Sequence, residues 1–246
     1  MSHEGPLNRQ INRWGFWSVV IFAVTTVISL FLPLDVGDGY AASHADRVIW
    51  LEENRDVFIA GWVNQIISMF SLSAAFAAAA WVAGGNNVLS GVLGAFFVAM
   101  ATMAFVIPKF IAVWTIPMLA SAAATGAAGS DMANSLLPLL NVSIPFSLYT
   151  SFDYLGFWLY AVFALLIAGP LYGETLNSKI ASISLGVFGV VYHLCLLMLF
   201  SGAMEPIDVG TYFIGSSLLL FFHLLAMAFV FKGVGFGQPD SQAVNP

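Results

Sequence analysis

The sequence predicts an all-α fold: a polytopic transmembrane helix bundle with six spans. Hydrophobic residues make up 60% of the 246 residues, charged residues only 8%, and the mean hydropathy is +0.90. Because a soluble domain averages about 25% charged residues, this composition is that of a membrane protein. The apolar residues also gather in runs of roughly 20, the length of α-helix that crosses the hydrocarbon layer of a bilayer.

The first predicted span is residues 14–34, which follows the polar residues 1–13 with Arg9 and Arg13. A basic start followed by an apolar run also occurs in signal peptides. This run is longer than the apolar region of a signal peptide, and no small-residue cleavage site follows it at once. We therefore interpret it as a retained span, preceded by a short cytoplasmic N-terminus.

The most charged stretch, residues 35–56, is predicted to form an extra interfacial helix in the first outer loop. Ser43, followed three positions later by Asp46, is typical of a capping box at a helix start. Val48, Trp50 and Leu51 would then lie on the membrane surface. Alternatively, this helix runs directly into the second span.

The second predicted span, residues 57–83, carries small and polar side chains at alternating steps of three and four, which places them on one helical face. They are Gly61, Asn64, Ser68, Ser71, Ala75 and Ala78. Small residues let helices approach closely, and Asn and Ser form hydrogen bonds between helices. This face is either a packing surface or the wall of a ligand pocket or pathway formed by Asn64, Ser68 and Ser71.

The third predicted span is residues 88–108, although the apolar sequence continues to about residue 124. Because that length is too great for one crossing, we end the span near Pro108. Residues 110–124 are then expected to form an interfacial or re-entrant segment, and an additional span within 110–150 is left open. Lys109 is expected to extend its ammonium group to the outer interface.

The rest of the chain contains three further spans. Residues 125–153, which include Pro138 and Pro145, are interpreted as an outer loop folded on the bundle or as a second half-helix. The predicted spans are residues 154–172, 180–201 and 211–232. The tail, residues 233–246, has the Gly, Pro and polar content of a flexible cytoplasmic end.

An even number of spans places both termini on one side of the membrane, which we predict to be the cytoplasm of a bacterium with this protein in its inner (plasma) membrane. The basic residues would be Arg9, Arg13, Lys179 and Lys232 inside, and Arg47, Arg55 and Lys109 outside. This small excess of basic residues inside agrees with the positive-inside rule.

Two of the four histidines, His193 and His223, lie well inside the last two predicted spans. An ionisable side chain in hydrocarbon is costly, so each is a functional hypothesis. His193 lies 14 residues after Lys179, and His223 lies 9 residues before Lys232. At about 1.5 Å per residue, the two imidazoles would differ in depth by roughly 7 Å.

Three interpretations of this pair are open. Each imidazole can form a hydrogen bond with a hydroxyl or a backbone carbonyl of a neighbouring helix. The pair can also bind a cofactor, as axial ligands of a b-type haem or as contacts to a quinone, since His is a common haem ligand and apolar helix bundles hold porphyrins. The third interpretation is a proton or solute pathway.

We expect an integral membrane protein without catalysis of its own, which is a binding or assembly component of a membrane complex. The alternatives are a redox protein with haem b at His193 and His223, and a small-solute permease. The expected partners are the lipid bilayer and other membrane subunits, while a net charge of -6 argues against nucleic acid. We predict no catalytic residue and no metal site, because Cys195 and His193 lie on different helical faces and no C-x-x-C or H-E-x-x-H motif occurs.

Overall fold

A computed structural model describes residues 5–126, 128–205 and 207–236, and over these ranges the regular structure is entirely helical. The α-helices are α1 (Pro6–Ser29), α2 (His44–Glu53), α3 (Arg55–Gly84), α4 (Val88–Thr125), α5 (Ser130–Leu136), α6 (Leu148–Leu171), α7 (Leu176–Phe200) and α8 (Val209–Phe236). Short 3-10 helices lie at Gly39–Ala41 and Leu137–Leu140.

Six of these helices, α1, α3, α4, α6, α7 and α8, are long and apolar enough to cross a membrane. The prediction of an all-α bundle with six spans is therefore confirmed, and the chain is an integral membrane protein. Large apolar side chains are exposed along all six helices, as expected for surfaces that face lipid.

The six spans form a closed ring in chain order. Each span packs on the next, and α8 returns to α1, where Arg13 Nε donates a hydrogen bond of 2.7 Å to the Gly235 carbonyl oxygen. Across the ring α3 meets α6, with the Phe76 and Tyr160 ring centroids 4.7 Å apart. We call the end where α1 begins and α8 ends the termini end, and the opposite end, with α2 and α5, the cap end.

Glycine lets neighbouring spans bring their backbones together. A Cβ added at Gly91 of α4 would lie 2.6 Å from the Cα of Gly84 in α3. A Cβ added at Gly15 of α1 would lie 2.8 Å from the Cβ of Ala78. Membrane helices associate through close packing of this kind, because burial of apolar surface supplies little driving force between helices in lipid.

The cap end has its own hydrophobic core, separate from the core of the ring. It joins α2, the cap-end halves of α3 and α4, and the start of α6. Its buried residues are Val48, Leu51, Phe58, Trp62, Ala112, Ile116, Ala120, Leu137 and Tyr149. Within the cap, Arg47 Nε pairs with Asp35 Oδ1 at 3.1 Å.

The predicted helix in the first outer loop is α2, and Ser43 caps it by accepting a hydrogen bond of 3.2 Å from the Asp46 backbone N–H. Two of the three apolar side chains that were expected on the membrane surface do not lie there, while Trp50 is half-buried. Val48 and Leu51 are buried against protein, because α3 and α4 extend far enough to cover them.

The prediction that the third span ends near Pro108 was wrong. Helix α4 continues through Pro108 and Pro117 to Thr125, so residues 110–124 are not a separate interfacial or re-entrant segment. Both prolines are buried. In a membrane protein, groups of neighbouring helices can bond to the backbone carbonyls that a proline leaves without an N–H partner. At 1.5 Å per residue, the 38-residue helix is about 57 Å long and exceeds the roughly 30 Å of hydrocarbon.

Other helix ends also differ from the prediction. The first span begins at Pro6 instead of residue 14, and the fourth at Leu148 instead of residue 154. The last span continues to Phe236, past the predicted end at residue 232. Most of the predicted tail, residues 237–246, lies outside the described residues.

Candidate functional site

His193 and His223 each use their Nδ1 atom in a hydrogen bond to the backbone. His223 is fully buried, and its Nδ1 lies 2.8 Å from the Ala181 carbonyl oxygen of α7. His193 Nδ1 lies 2.7 Å from the Gly189 carbonyl oxygen, and its Nε2 accepts a hydrogen bond of 3.3 Å from Trp158 Nε1. Since a carbonyl oxygen only accepts, Nδ1 carries the proton in both rings.

The structure does not bring the two imidazoles together. His223 bonds to Ala181, which lies 12 residues before His193 on α7, a separation of about 18 Å along the helix axis. A haem held by both rings would place their Nε2 atoms about 4 Å apart, since metal–imidazole bonds are roughly 2 Å long. These positions do not fit one haem shared by the pair, and binding by either imidazole alone stays a prediction.

The depth estimate from the sequence was wrong because it placed Lys179 and Lys232 at one level. His223 bonds to Ala181, only two residues after Lys179, although it lies nine residues before Lys232, so α8 extends past the level of Lys179. His223 Nε2 has no hydrogen-bond partner, and its ring lies 5.6 Å from that of Phe76. Among the described residues, no cluster of His, Cys, Asp or Glu has the arrangement of a metal site.

The polar face of α3 packs against α1. All six of its small and polar residues are buried, as expected for a packing surface. Asn64 Nδ2 donates hydrogen bonds of 2.9 Å to the Thr25 carbonyl oxygen and to Ser29 Oγ of α1. Ser68 is buried, and Ser71 bonds within its own helix. A ligand or pathway role of Asn64, Ser68 and Ser71 stays a prediction.

An ion pair between two spans was missed by the sequence reasoning. Lys109 of α4 is only 4% exposed, and its Nζ lies 2.7 Å from Asp153 Oδ1 of α6. Nζ also lies 5.1 Å from the centroid of the Phe105 ring. The expectation that Lys109 extends to the outer interface was therefore wrong. Asp153 had been assigned to a loop, whereas α6 already begins at Leu148.

A groove of about 640 Å³ lies at the termini end. It lies between the ends of α1, α3, α4 and α8. Its lining residues are Asn8, Asn12, Ala77, Ala80, Trp81, Val82, Gly84, Gly85, Val88, Gly91, Val92, Ala95 and Val234. The lining is therefore mostly small or apolar, with two Asn amides and the Trp81 indole N–H as its side-chain polar groups.

The polar groups of this groove form one hydrogen-bonded chain. Trp81 Nε1 donates to Asn8 Oδ1 at 3.1 Å, and Asn12 Nδ2 donates to Asn8 Oδ1 at 3.2 Å and to the Asn8 carbonyl oxygen at 2.8 Å. Asn12 is 1% exposed, and its Oδ1 has no hydrogen-bond partner. A buried acceptor without a donor costs about 1–3 kcal/mol.

The sequence reasoning also missed this groove, because it treated residues 1–13 as a polar end outside the helix. The four-residue spacing of Asn8 and Asn12 was the available signal, since it places both amides on one face of a helix that begins at Pro6.

The six-span ring and the groove at its end define a multi-pass membrane protein of the helical class. Comparisons with protein-family models, with characterised proteins and with solved structures find no match to this chain.

Proposed function

We propose that this protein binds a lipid-like molecule in the groove at the termini end and acts, without catalysis of its own, as a binding or assembly component of a membrane complex. The observation that carries the proposal is the groove itself. Its volume of about 640 Å³ lies in the usual range of ligand pockets, and its apolar lining with a few polar groups at one end has their usual composition.

The position of the groove favours a ligand that comes from the membrane. Trp81, Val88 and Val92 form its rim, and all three side chains are exposed. Exposed apolar side chains on membrane spans face acyl chains, so a molecule dissolved in the bilayer can enter between α3 and α4 from the side. The lining contributes no charged side chain that would attract a water-soluble ion.

The proposal includes an orientation, with both termini in the cytoplasm and the protein in a bacterial inner membrane. At the cap end, Arg47 and Lys109 are held in ion pairs with Asp35 and Asp153, whereas Arg55 is exposed. The termini end carries Arg9, Arg13, Lys179 and Lys232. Because basic residues near the ends of spans favour the cytoplasmic side, the groove would open towards the cytoplasmic leaflet.

The test is to purify the protein with its native lipids in a copolymer that excises bilayer discs, and to identify bound lipids and co-purifying proteins by mass spectrometry. Ala77→Trp fills the groove from an exposed position on α3. Ala60→Trp is the matched control, an exposed alanine of the same helix near the cap end. We expect one lipid to be enriched over the bulk bilayer in the wild type and in Ala60→Trp, and to be depleted in Ala77→Trp.

Two results would contradict the proposal. One is a lipid profile of the wild type equal to that of the surrounding bilayer. The other is an enriched lipid that Ala77→Trp retains as well as the wild type does.

A further inference from the structure

We infer that the groove selects a neutral amphiphile whose head group donates a hydrogen bond, such as a long-chain alcohol, to Oδ1 of Asn12. This inference rests on the proposed function and names the chemistry of its ligand. It comes from the one buried side-chain polar atom of the groove lining that has no hydrogen-bond partner.

The orientation of the Asn12 amide is imposed by its neighbour. Its Nδ2 donates to the carbonyl oxygen and to Oδ1 of Asn8, and both of these atoms are acceptors. A rotated amide would bring Asn12 Oδ1 against the same two oxygens. The Asn8 amide cannot rotate to present its Nδ2 to Asn12, because its Oδ1 also accepts a hydrogen bond from Trp81 Nε1. Asn12 Oδ1 is therefore left as an acceptor, and only a donor can satisfy it.

The charges around the groove argue for a neutral head group. No Arg or Lys is among the lining residues. Arg13 bonds to the Gly235 carbonyl oxygen through Nε, and its guanidinium lies 5.3 Å from the centroid of the Phe236 ring. A phosphate held against Asn12 would place a negative charge beside an acceptor oxygen without a lining cation, which is unfavourable in an apolar site.

The rest of the lining is suited to an apolar tail. Ala77, Ala80, Gly84 and Gly91 contribute only backbone and methyl groups to the lining. These residues leave a smooth surface next to the hydrogen-bonding end. The groove therefore offers a hydrogen-bond acceptor at one end and an apolar surface over the remainder. This pattern suits an amphiphile with a small polar head.

The test uses purified protein in bilayer discs and a hexadecane that carries a photoreactive diazirine, with labelled peptides mapped by mass spectrometry. Three competitors with one chain length are compared: 1-hexadecanol, hexadecyl methyl ether and hexadecyl phosphate. We expect the alcohol to displace the label from groove peptides about tenfold more effectively than the ether, which lacks the donor, because one hydrogen bond to a buried acceptor is worth about that factor. The phosphate is expected to compete less well than the alcohol.

Asn12→Leu removes the acceptor and is expected to make the alcohol and the ether equal, with the diazirine labelling retained. Equal competition by alcohol and ether in the wild type would overturn the inference while leaving groove binding intact, and so would strongest competition by the phosphate. Labelling that avoids the groove peptides, or that Ala77→Trp does not reduce, would instead refute the proposed function. The comparison in the wild type decides the inference even where Asn12→Leu does not fold.

Discussion

Removing either partner of the Lys109–Asp153 pair should destabilise the bundle, and the two changes should differ in size. The Lys109 side chain is 5% exposed, whereas that of Asp153 is 27% exposed. Asp153→Ala leaves an ammonium group buried between α4 and α6. Lys109→Met leaves a carboxylate that water can partly reach, and its methionine replaces the lysine stem with an apolar chain of similar length.

The magnitudes follow from what each variant leaves behind. Breaking a buried ion pair by removing one partner typically costs about 3–5 kcal/mol, because an uncompensated charge remains. We expect a cost near the lower end, about 3 kcal/mol, for Asp153→Ala, since the Phe105 ring still attracts the ammonium group by roughly 1 kcal/mol. We expect about 1–2 kcal/mol for Lys109→Met, below the range for a fully buried partner.

The double variant Lys109→Met/Asp153→Ala gives the sharper test, because it removes both charges. It should be about 1–2 kcal/mol more stable than Asp153→Ala alone, as expected when a buried pair is replaced by apolar groups. Stability is measured as the free energy of unfolding in mixed detergent micelles, followed by tryptophan fluorescence during titration with dodecyl sulfate. Lys232→Met, at an exposed position of α8, is the control and should change stability by less than about 0.5 kcal/mol.

The reasoning would be refuted by a Lys109→Met variant at least as destabilised as Asp153→Ala. It would be refuted equally by a double variant that is less stable than Asp153→Ala. In that case a buried unpaired ammonium group would not be the cause of the stability lost in Asp153→Ala.

Two further predictions concern packing and topology. Ser68→Leu should lower stability by about 1–3 kcal/mol through overpacking of the α1–α3 contact. The control Ile67→Leu, on the exposed face of α3, should be nearly neutral. Equal effects of the two changes would mean that Ser68 is not packed against α1. In a variant with Cys195 replaced by Ala, a cysteine at Glu53 should react with an impermeant maleimide from outside the cell, and one at Glu174 only after the membrane is opened. Reaction of both from the same side would contradict the six-span arrangement.

The sequence predicted the number and order of the spans, because each crossing needs an uninterrupted apolar run of about 20 residues and this pattern is local. It did not predict where the helices end. Helix α4 runs on beyond Pro117 because α2 and the segment around Leu137 pack against its last turns. Such support comes from residues far away in the chain, so hydropathy shows where a helix lies in lipid but not how far it continues in protein.

The polar contacts were less accessible to sequence reasoning than the spans. The pairing of Lys109 with Asp153 depends on the relative position of α4 and α6, and the start of α6 was placed six residues too late. The buried face of α3 could be predicted, because its spacing is a property of one helix. The groove could not, because Asn12 becomes a buried, unpaired acceptor only when the ends of several helices meet.

The lengths of the connections explain why the groove lies at the termini end. There the turns between spans are short, at residues 85–87 and 172–175, so little chain is available to cover the contact between α3 and α4. At the cap end, two connections, at residues 30–54 and 126–147, carry α2, α5 and the two 3-10 helices, which cover the ends of α3, α4 and α6 with a hydrophobic core and the Arg47–Asp35 pair. Under the proposed function, the ligand would enter from the leaflet at the termini end, and the labelling of Glu174 would identify that leaflet.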